Sequence, residues 1–345
     1  MRSFGSDNHS GVHPRIVDAL LQANIDHAVA YGGDPWTRRA IRLFRKEFGP
    51  DIAVFFVFGG TGANGVGIAP FLRTHEAVIC SSVAHLWVHE STAPEALTGC
   101  RLIPIDSSDG KLTVDLIRRR LGGVGDEHEP QPRVISISQS NELGLVYTPA
   151  EVRAITRFAH ANGLYVHVDG ARLANASASL RTGLRACTRD AGIDSLSFGG
   201  TKNGMMFGEA VVFFRPEAAR LAPFMRKRAM QLPSKMRFVS AQFEAILKDR
   251  LWADNASRAN RMARLLARRV RHVNGVTILH PIQTNMVFAR LSRPLMAALL
   301  KRASFYVQND HEGIVRWVAS FDTTEQDVDA FAVAVRKSAA KGRRQ

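Results

Sequence analysis

Short β-branched or aromatic runs alternate with amphipathic segments through the first two-thirds of the chain. Seven runs read as strands, at 53–58, 77–82, 101–105, 133–138, 164–169, 195–199 and 210–214. Helical periodicity fills the gaps between them, as at 36–48 and 149–163. The second of these opens on Pro149, carries Glu151 in its first turn and ends at Asn162-Gly163. This β/α alternation predicts an α/β fold, a mostly parallel central sheet with helices on both faces. After about 245 the pattern changes to long helices followed by short strands at 284–290 and 313–320. We therefore expect a large domain over 1–245, whose N-terminal segment contributes to the site. A smaller C-terminal α/β domain is expected over 246–345. The helical run 258–273 places Arg258, Arg261, Arg264, Arg268 and Arg271 at steps of three or four. Met262, Leu265, Leu266 and Val270 take the other face, so this helix shows a basic face to solvent.

Composition narrows the classes. Hydrophobic residues make up 46% and charged residues 22%, which excludes bulk disorder. The opening residues MRSFGSDNHS carry no apolar core of a signal peptide, and no membrane-length apolar run appears. Cys80, Cys100 and Cys187 form neither a disulfide framework nor a CxxC metal site, so no metal is expected and a reducing cytoplasm is. Lys and Arg number 46 against 31 Asp and Glu, a formal net charge of +15. That excess admits a nucleic-acid footprint, an anionic substrate or an unspecific basic surface. Besides the 258–273 stripe, it collects at 220–237, with Arg226, Lys227 and Arg228 adjacent, and in the tail 336–345, whose end should fray. No zinc-finger or RNP1-type spacing accompanies it, so nucleic acid is the minor reading.

Ligands of open α/β sheets gather at the carboxyl ends of strands. Five strand ends are chemically equipped. They carry Gly59-Gly60-Thr61-Gly62-Ala63-Asn64, then His85, then Gln139-Ser140-Asn141-Glu142, then Asp169-Gly170-Ala171-Arg172, and lastly Gly200-Thr201-Lys202-Asn203-Gly204. The glycine turn leads into an apolar helix and suits a single phosphate, because backbone N–H groups at a helix start bind anions. It lacks both GK[ST] and GxGxxG, and a plain strand-to-helix turn is the alternative. Asp169 shares a strand face with His167. A buried strand-end acid needs a partner, either the protonated ring nitrogen of a pyridoxal cofactor or Arg172, unless it caps the following helix. Lys202, flanked by small residues, can form a Schiff base if its amine is desolvated; otherwise it is a solvated loop lysine. A phosphate turn, a strand-end acid and a lysine 33 residues later together make the set that pyridoxal 5'-phosphate (PLP) requires.

The segments FGSDNHSGVHPRI (4–16), YGGDPWT (31–37), GGTGANGVGI (59–68), AHLWVHES (84–91), HVDGARLANA (167–176), LSFGGTKNG (196–204) and IVRWVASFDTTEQDVD (314–329) carry a resemblance over nearly the whole chain. In this order they resemble the low-specificity L-threonine aldolases, of the β-eliminating lyase group in the PLP-dependent fold type I (aspartate aminotransferase-like) superfamily. The resemblance implies cleavage of L-threonine, L-allo-threonine and related β-hydroxy-α-amino acids to glycine and an aldehyde. Phenylserine cleavage or β-elimination on another amino acid is the nearest alternative. It also implies a homotetramer, a dimer of dimers with sites at subunit boundaries.

By position, the resemblance makes Lys202 the Schiff-base lysine and Asp169 the partner of the pyridine nitrogen. Gly60, Thr61 and Gly62 become the phosphate cradle, with Arg228 added to it. His85 becomes the ring that stacks on the cofactor, and His128 a group that helps deprotonate the substrate hydroxyl. Ser6, Arg172 and Arg316 bind the substrate carboxylate, and Tyr31 approaches a neighbouring site. Two segments depart from the family pattern. Ser6-Asp7-Asn8-His9 stands where a threonine-rich run is common, and SQSNELG (138–144) replaces an Asn-Thr-His-Asn-Gly type. The second departure is expected to alter the substrate pocket and leave the cofactor chemistry intact.

Overall fold

A computed structural model describes residues 2–341. All seven strands read from the sequence are present, two with the expected ends and the others with ends moved by one or two residues. They are β1 Ala53–Val57, β2 Glu76–Ser81, β3 Arg101–Ile105, β4 Gln131–Ser138, β5 Tyr165–Gly170, β6 Ser195–Gly199 and β7 Glu209–Phe213. They form one sheet in the order β1-β7-β6-β5-β4-β2-β3. The neighbours from β3 across to β6 are parallel, and β7 alone is reversed, antiparallel to both β6 and β1. A mostly parallel sheet with one reversed strand matches the α/β architecture expected from the sequence.

Strand periodicity divides the interior. In β2, Ile79 joins one core, and Val78 and Cys80 the other. In β5, Val166 and Val168 point into the first core. His167 and Asp169 therefore share the opposite face, where the helix Gly60–Ile68 packs. The first core is aromatic at its centre. Phe44 meets Phe48, Phe56, Phe198 and Phe243 with ring centroids 5.3–5.8 Å apart. The helix Pro35–Phe48 brings Phe44 and Phe48 there because apolar positions recur at helical spacing behind an Asp34 cap and Pro35.

A second, antiparallel sheet holds β8 Val276–Ile278, β9 Met286–Leu291, β10 Tyr306–Asn309 and β11 Ile314–Val318, in the order β10-β11-β9-β8. β8 and β10 escaped the sequence reading because β8 is three residues long and β10, Tyr-Val-Gln-Asn, has no fully buried position. The long helix Leu251–Val270 serves both cores. Trp252 and Ala256 belong to the large one, while Met262, Leu266 and Val270 belong to the small one. Packing thus changes hands within this helix, whereas the sequence placed a junction at 245/246. Phe4 also belongs to the small core, where its ring centroid lies 4.6 Å from that of Phe331. The basic tail is helical through Lys341, in the helix Glu325–Lys341, and the end expected to fray lies outside the described residues. Among the described residues, no helix is long and apolar enough to cross a membrane.

Candidate active site

Strands β1, β2, β4, β5 and β6 run the same way, so their carboxyl ends share one edge of the sheet. β7 runs the other way and brings its first residue, Glu209, to the same edge, opposite Gly199. Lys202 follows β6 in the short turn Thr201–Asn203. Burial lowers its pKa most and the Arg172 charge lowers it further, while Asp7, Asp169 and Glu209 work against that; the net direction is downward. An amine so placed is a better nucleophile at neutral pH than a solvated lysine. Beneath it, Glu209 accepts the Gly200 N–H at 2.7 Å. Burial pushes the Glu209 carboxyl up to about 7.

Asp169 is held at both oxygens. Asn64 Nδ2 donates to Oδ2 at 2.9 Å and the Ala171 N–H to Oδ1 at 3.0 Å. Burial would raise its pKa, but the Lys202 charge and these two donors outweigh burial and keep it low. It is thus an ionised carboxylate suited to a cationic ring N–H. Its face-mate His167 lies between Ser136 Oγ at 2.9 Å and Ser197 Oγ at 3.0 Å, and burial lowers it to about 4. His167 is a neutral structural histidine.

The glycine turn opens the helix Gly60–Ile68 without a side-chain cap. A Cβ on Gly59 or Gly60 would meet nothing, so space lies open before the first free N–H groups. A Cβ on Gly62 would strike the Gln231 amide, whose Oε1 accepts the Phe58 N–H at 3.0 Å. His85 begins the turn after β2. Its Nδ1 lies 2.9 Å from Glu90 Oε1, and its backbone N–H donates to Glu142 Oε1 at 2.8 Å.

A second cluster joins the two sheets. Arg172 grips Asp7 with a bidentate fork, Nε to Oδ2 at 2.7 Å and Nη2 to Oδ1 at 2.9 Å, and Asn285 Nδ2 adds a bond to Oδ2 at 3.0 Å. Burial opposes ionisation of Asp7, but the Arg172 and Lys202 charges and these bonds lower its pKa overall. Arg316, on β11, lies over the Tyr306 ring at 5.4 Å. Burial lowers its pKa, as does the nearby Arg172, and its buried Nε has no partner. A buried guanidinium edge without an acceptor fits a carboxylate ligand.

The beta-eliminating lyase family model matches residues 3–293. The chain belongs to the beta-eliminating lyase family. It is 41% identical over 336 residues to the low specificity L-threonine aldolase of Pseudomonas aeruginosa, covering 97% of each chain. The corresponding aldolase of a Pseudomonas sp. strain matches to the same extent. A solved threonine aldolase of Leishmania major superposes with a TM-score of 0.93 at 31% identity, covering 98% of this chain and 100% of that one. A putative L-allo-threonine aldolase of Listeria monocytogenes, at 20% identity and a TM-score of 0.74, shares the fold.

In this lyase the sheet edge brings together Gly60, Thr61, Gly62, His85, Asp169 and Lys202. Arg172, Arg316 and Ser6 flank them through Asp7. Ser6 itself caps the turn Asp7–His9, where its side chain accepts the Asn8 N–H. Three expected residues lie elsewhere within the chain. His128 is exposed in the loop before β4, at the amino end of that strand, away from the edge that carries Lys202. Tyr31 is exposed on the loop ahead of Pro35–Phe48. Arg228 is exposed at the end of the helix Pro216–Arg228, and the residue of this segment that reaches the glycine turn is Gln231. The sequence reading also missed Asp7, Glu90 and Glu209. Asp7 meets Arg172 across 165 positions, Glu90 reaches the His85 ring from five residues on, and Glu209 comes from the reversed strand, so no motif spacing marked them.

The amides of the segment 138–144 are mostly spent on neighbouring backbone. Gln139 exchanges two bonds with the Tyr147 backbone, and Asn141 bonds the N–H groups of Leu143 and Leu145 and the Asp109 carbonyl. Glu142 differs. Its Oε1 accepts from Ser138 Oγ and His85 N–H, its Oε2 is buried without a partner, and burial raises its pKa.

Proposed function

We propose that this chain is a PLP-dependent aldehyde-lyase that cleaves L-threonine and related β-hydroxy-α-amino acids to glycine and an aldehyde. The observation that carries the reading is one edge of the sheet. A partly desolvated Lys202, an ionised Asp169 and an open glycine turn meet there, in a chain 41% identical to a curated threonine aldolase.

The residues fit the cofactor. The free N–H groups at Gly60, Thr61 and Gly62 would hold its phosphate, and Asp169 its ring N–H. Lys202 would hold its aldehyde carbon, and the His85 ring would cover its face. When bound, PLP supplies the electron sink for carbon–carbon cleavage. The protein does the rest. Arg316 binds the substrate carboxylate, with Arg172 behind it, and so orients the Cα–Cβ bond. Lys202, partly desolvated, would supply the amine that holds the cofactor in the absence of substrate. His85 stands beside the site as a group able to receive a hydrogen bond from the substrate side. Electrostatic preorganisation and orientation are the protein's share of the rate.

The reading includes a homo-oligomer, supported by highly exposed apolar side chains such as Val29, Phe224 and Met230, and a reducing cytoplasm, consistent with three buried, unpaired cysteines. The test is direct. Borohydride treatment of the yellow protein should fix a pyridoxyl group on Lys202, located by peptide mapping. Lys202→Ala should remove both the adduct and the release of glycine from threonine. With threonine, 2-oxobutyrate and ammonia in place of glycine and acetaldehyde would instead make the enzyme a β-eliminating lyase on its substrate. An adduct on another lysine would overturn the site.

A further inference from the structure

His85 is held twice, by two buried carboxyl groups from different segments. Glu142 takes its backbone N–H, and Glu90 takes its ring. The Glu90 side chain is fully buried, while that of His85 is 40% exposed. The Nδ1 edge is thus turned to a buried carboxylate, and the exposure falls on the rest of the ring, which includes Nε2. Glu90 Oε1 also accepts from Asn64 Nδ2 at 2.7 Å, and the same amide nitrogen donates to Asp169 Oδ2 at 2.9 Å. A chain of contacts thus runs from His85 through Glu90 and Asn64 to Asp169.

The direction of the protons follows from donor chemistry. Asn64 Nδ2 can only donate, so its two hydrogens go to Glu90 and Asp169. An oxygen that already accepts from an amide offers the imidazole another lone pair, and the ring nitrogen facing it must then carry the hydrogen. A neutral imidazole with its proton on Nδ1 presents a bare Nε2. The other titratable groups near the ring are Glu142, Asp169 and His89, whose ring centroid is 5.6 Å away.

We propose that Glu90, braced by Asn64, is a positioning residue that locks His85 in the Nδ1–H tautomer, so that Nε2 meets the substrate side as an acceptor. A hydroxyl or a water then donates to Nε2. With the other tautomer the same edge would present a donor, and a β-hydroxyl would lose its acceptor. What Nε2 receives rests on the aldolase reading; the tautomer itself does not.

The experiment uses the holoenzyme with 15N-labelled histidine. Long-range 1H–15N correlation of the ring nitrogens is assigned with His85→Asn. The expected wild-type pattern is a protonated Nδ1 and an unprotonated Nε2. In Glu90→Leu, which removes the acceptor, the ring should become mixed or Nε2-protonated. The kcat for threonine should fall roughly 10-fold or more, with KM within about threefold. Glu90→Gln keeps an acceptor oxygen and should restore the tautomer and most of kcat. A wild-type ring protonated at Nε2, or at both nitrogens, overturns the proposal even if no variant folds. So does a Glu90→Leu protein that keeps the Nδ1–H pattern, whatever its kcat. The borohydride adduct reports separately on the aldolase reading: its absence from Lys202 would sink that reading and leave the tautomer result standing.

Discussion

Glu209 shows how one side chain couples the site to pH. It is buried at the start of β7, its Oε2 accepts the Gly200 N–H, and burial pushes its pKa up to about 7 from an ordinary value of 4.5. For a group whose folded pKa is raised, the stabilising contribution is present below the unfolded value and is lost as pH rises through the folded one. Ionisation of Glu209 should therefore weaken the fold between about pH 4.5 and pH 7. Glu209→Gln keeps an acceptor for Gly200 and removes the titration. Its thermal midpoint should gain on wild type as pH rises from 5 to 8, by an amount equivalent to at most about 3 kcal/mol. A wild-type-minus-variant difference that stays flat across that range would show that Glu209 titrates near its unfolded value. Lys202, two residues beyond Gly200, could be named from the sequence because it stands in a motif. Glu209 could not, because its role depends on a reversed strand that brings position 209 beside 199.

Among the elements, the helix Pro35–Phe48 shows what local sequence can do alone. Asp34 accepts the Thr37 N–H at 2.7 Å and the Thr37 hydroxyl at 2.8 Å, Pro35 takes the first position and Gly49 ends the helix with φ at 113°. These signals, with the apolar spacing that buries Phe44 and Phe48, were legible in the chain. Because Asp34 is itself buried, Asp34→Ala should cost about 1–2 kcal/mol, read as a lowered urea midpoint with an unchanged slope. A loss below a few tenths would mean that packing alone sets the helix start. β10 is the contrary case. Its four residues are only half buried, with Val307 alone packed on the small core, and it is a strand because β11 lies beside it, with Tyr306 opposite Arg316.

For the whole molecule, the +15 charge now divides into parts. Arg172 keeps only 11% of its side chain exposed where it forks onto Asp7, and Arg316 is half-buried with a partnerless Nε; both line the proposed site. In the stripe of Leu251–Val270, Met262, Leu266 and Val270 are buried and Arg258, Arg261 and Arg268 are exposed, as the periodicity requires, while Arg264 and Leu265 lie half-buried at the border between the faces. Exposed apolar residues collect on another surface. Val29 is 71%, Phe224 72% and Met230 83% exposed, on segments joined by the bond from the Tyr31 N–H to the Ser234 carbonyl. Apolar surface of this kind calls for a covering partner, and a second copy of the chain is the one the proposed oligomer supplies. The double variant Phe224→Glu, Met230→Glu should sediment as a smaller species than wild type while keeping its far-UV circular dichroism. Unchanged sedimentation would place the subunit contact elsewhere.

The sequence by itself determined the strands of the large sheet, the order of strand and helix, and the motif residues at the strand ends. Each is a short-range pattern, set by side-chain period, by turn chemistry or by a few adjacent residues. Tertiary structure alone decided which strand runs backwards, which acid answers which base, and which expected residues share a site. It pairs Asp7 with Arg172 across 165 positions and Asn64 with Asp169 across 105, and it leaves His128 at the far end of its strand. Such pairings depend on distances that chain closure creates, and no local window of sequence contains both partners.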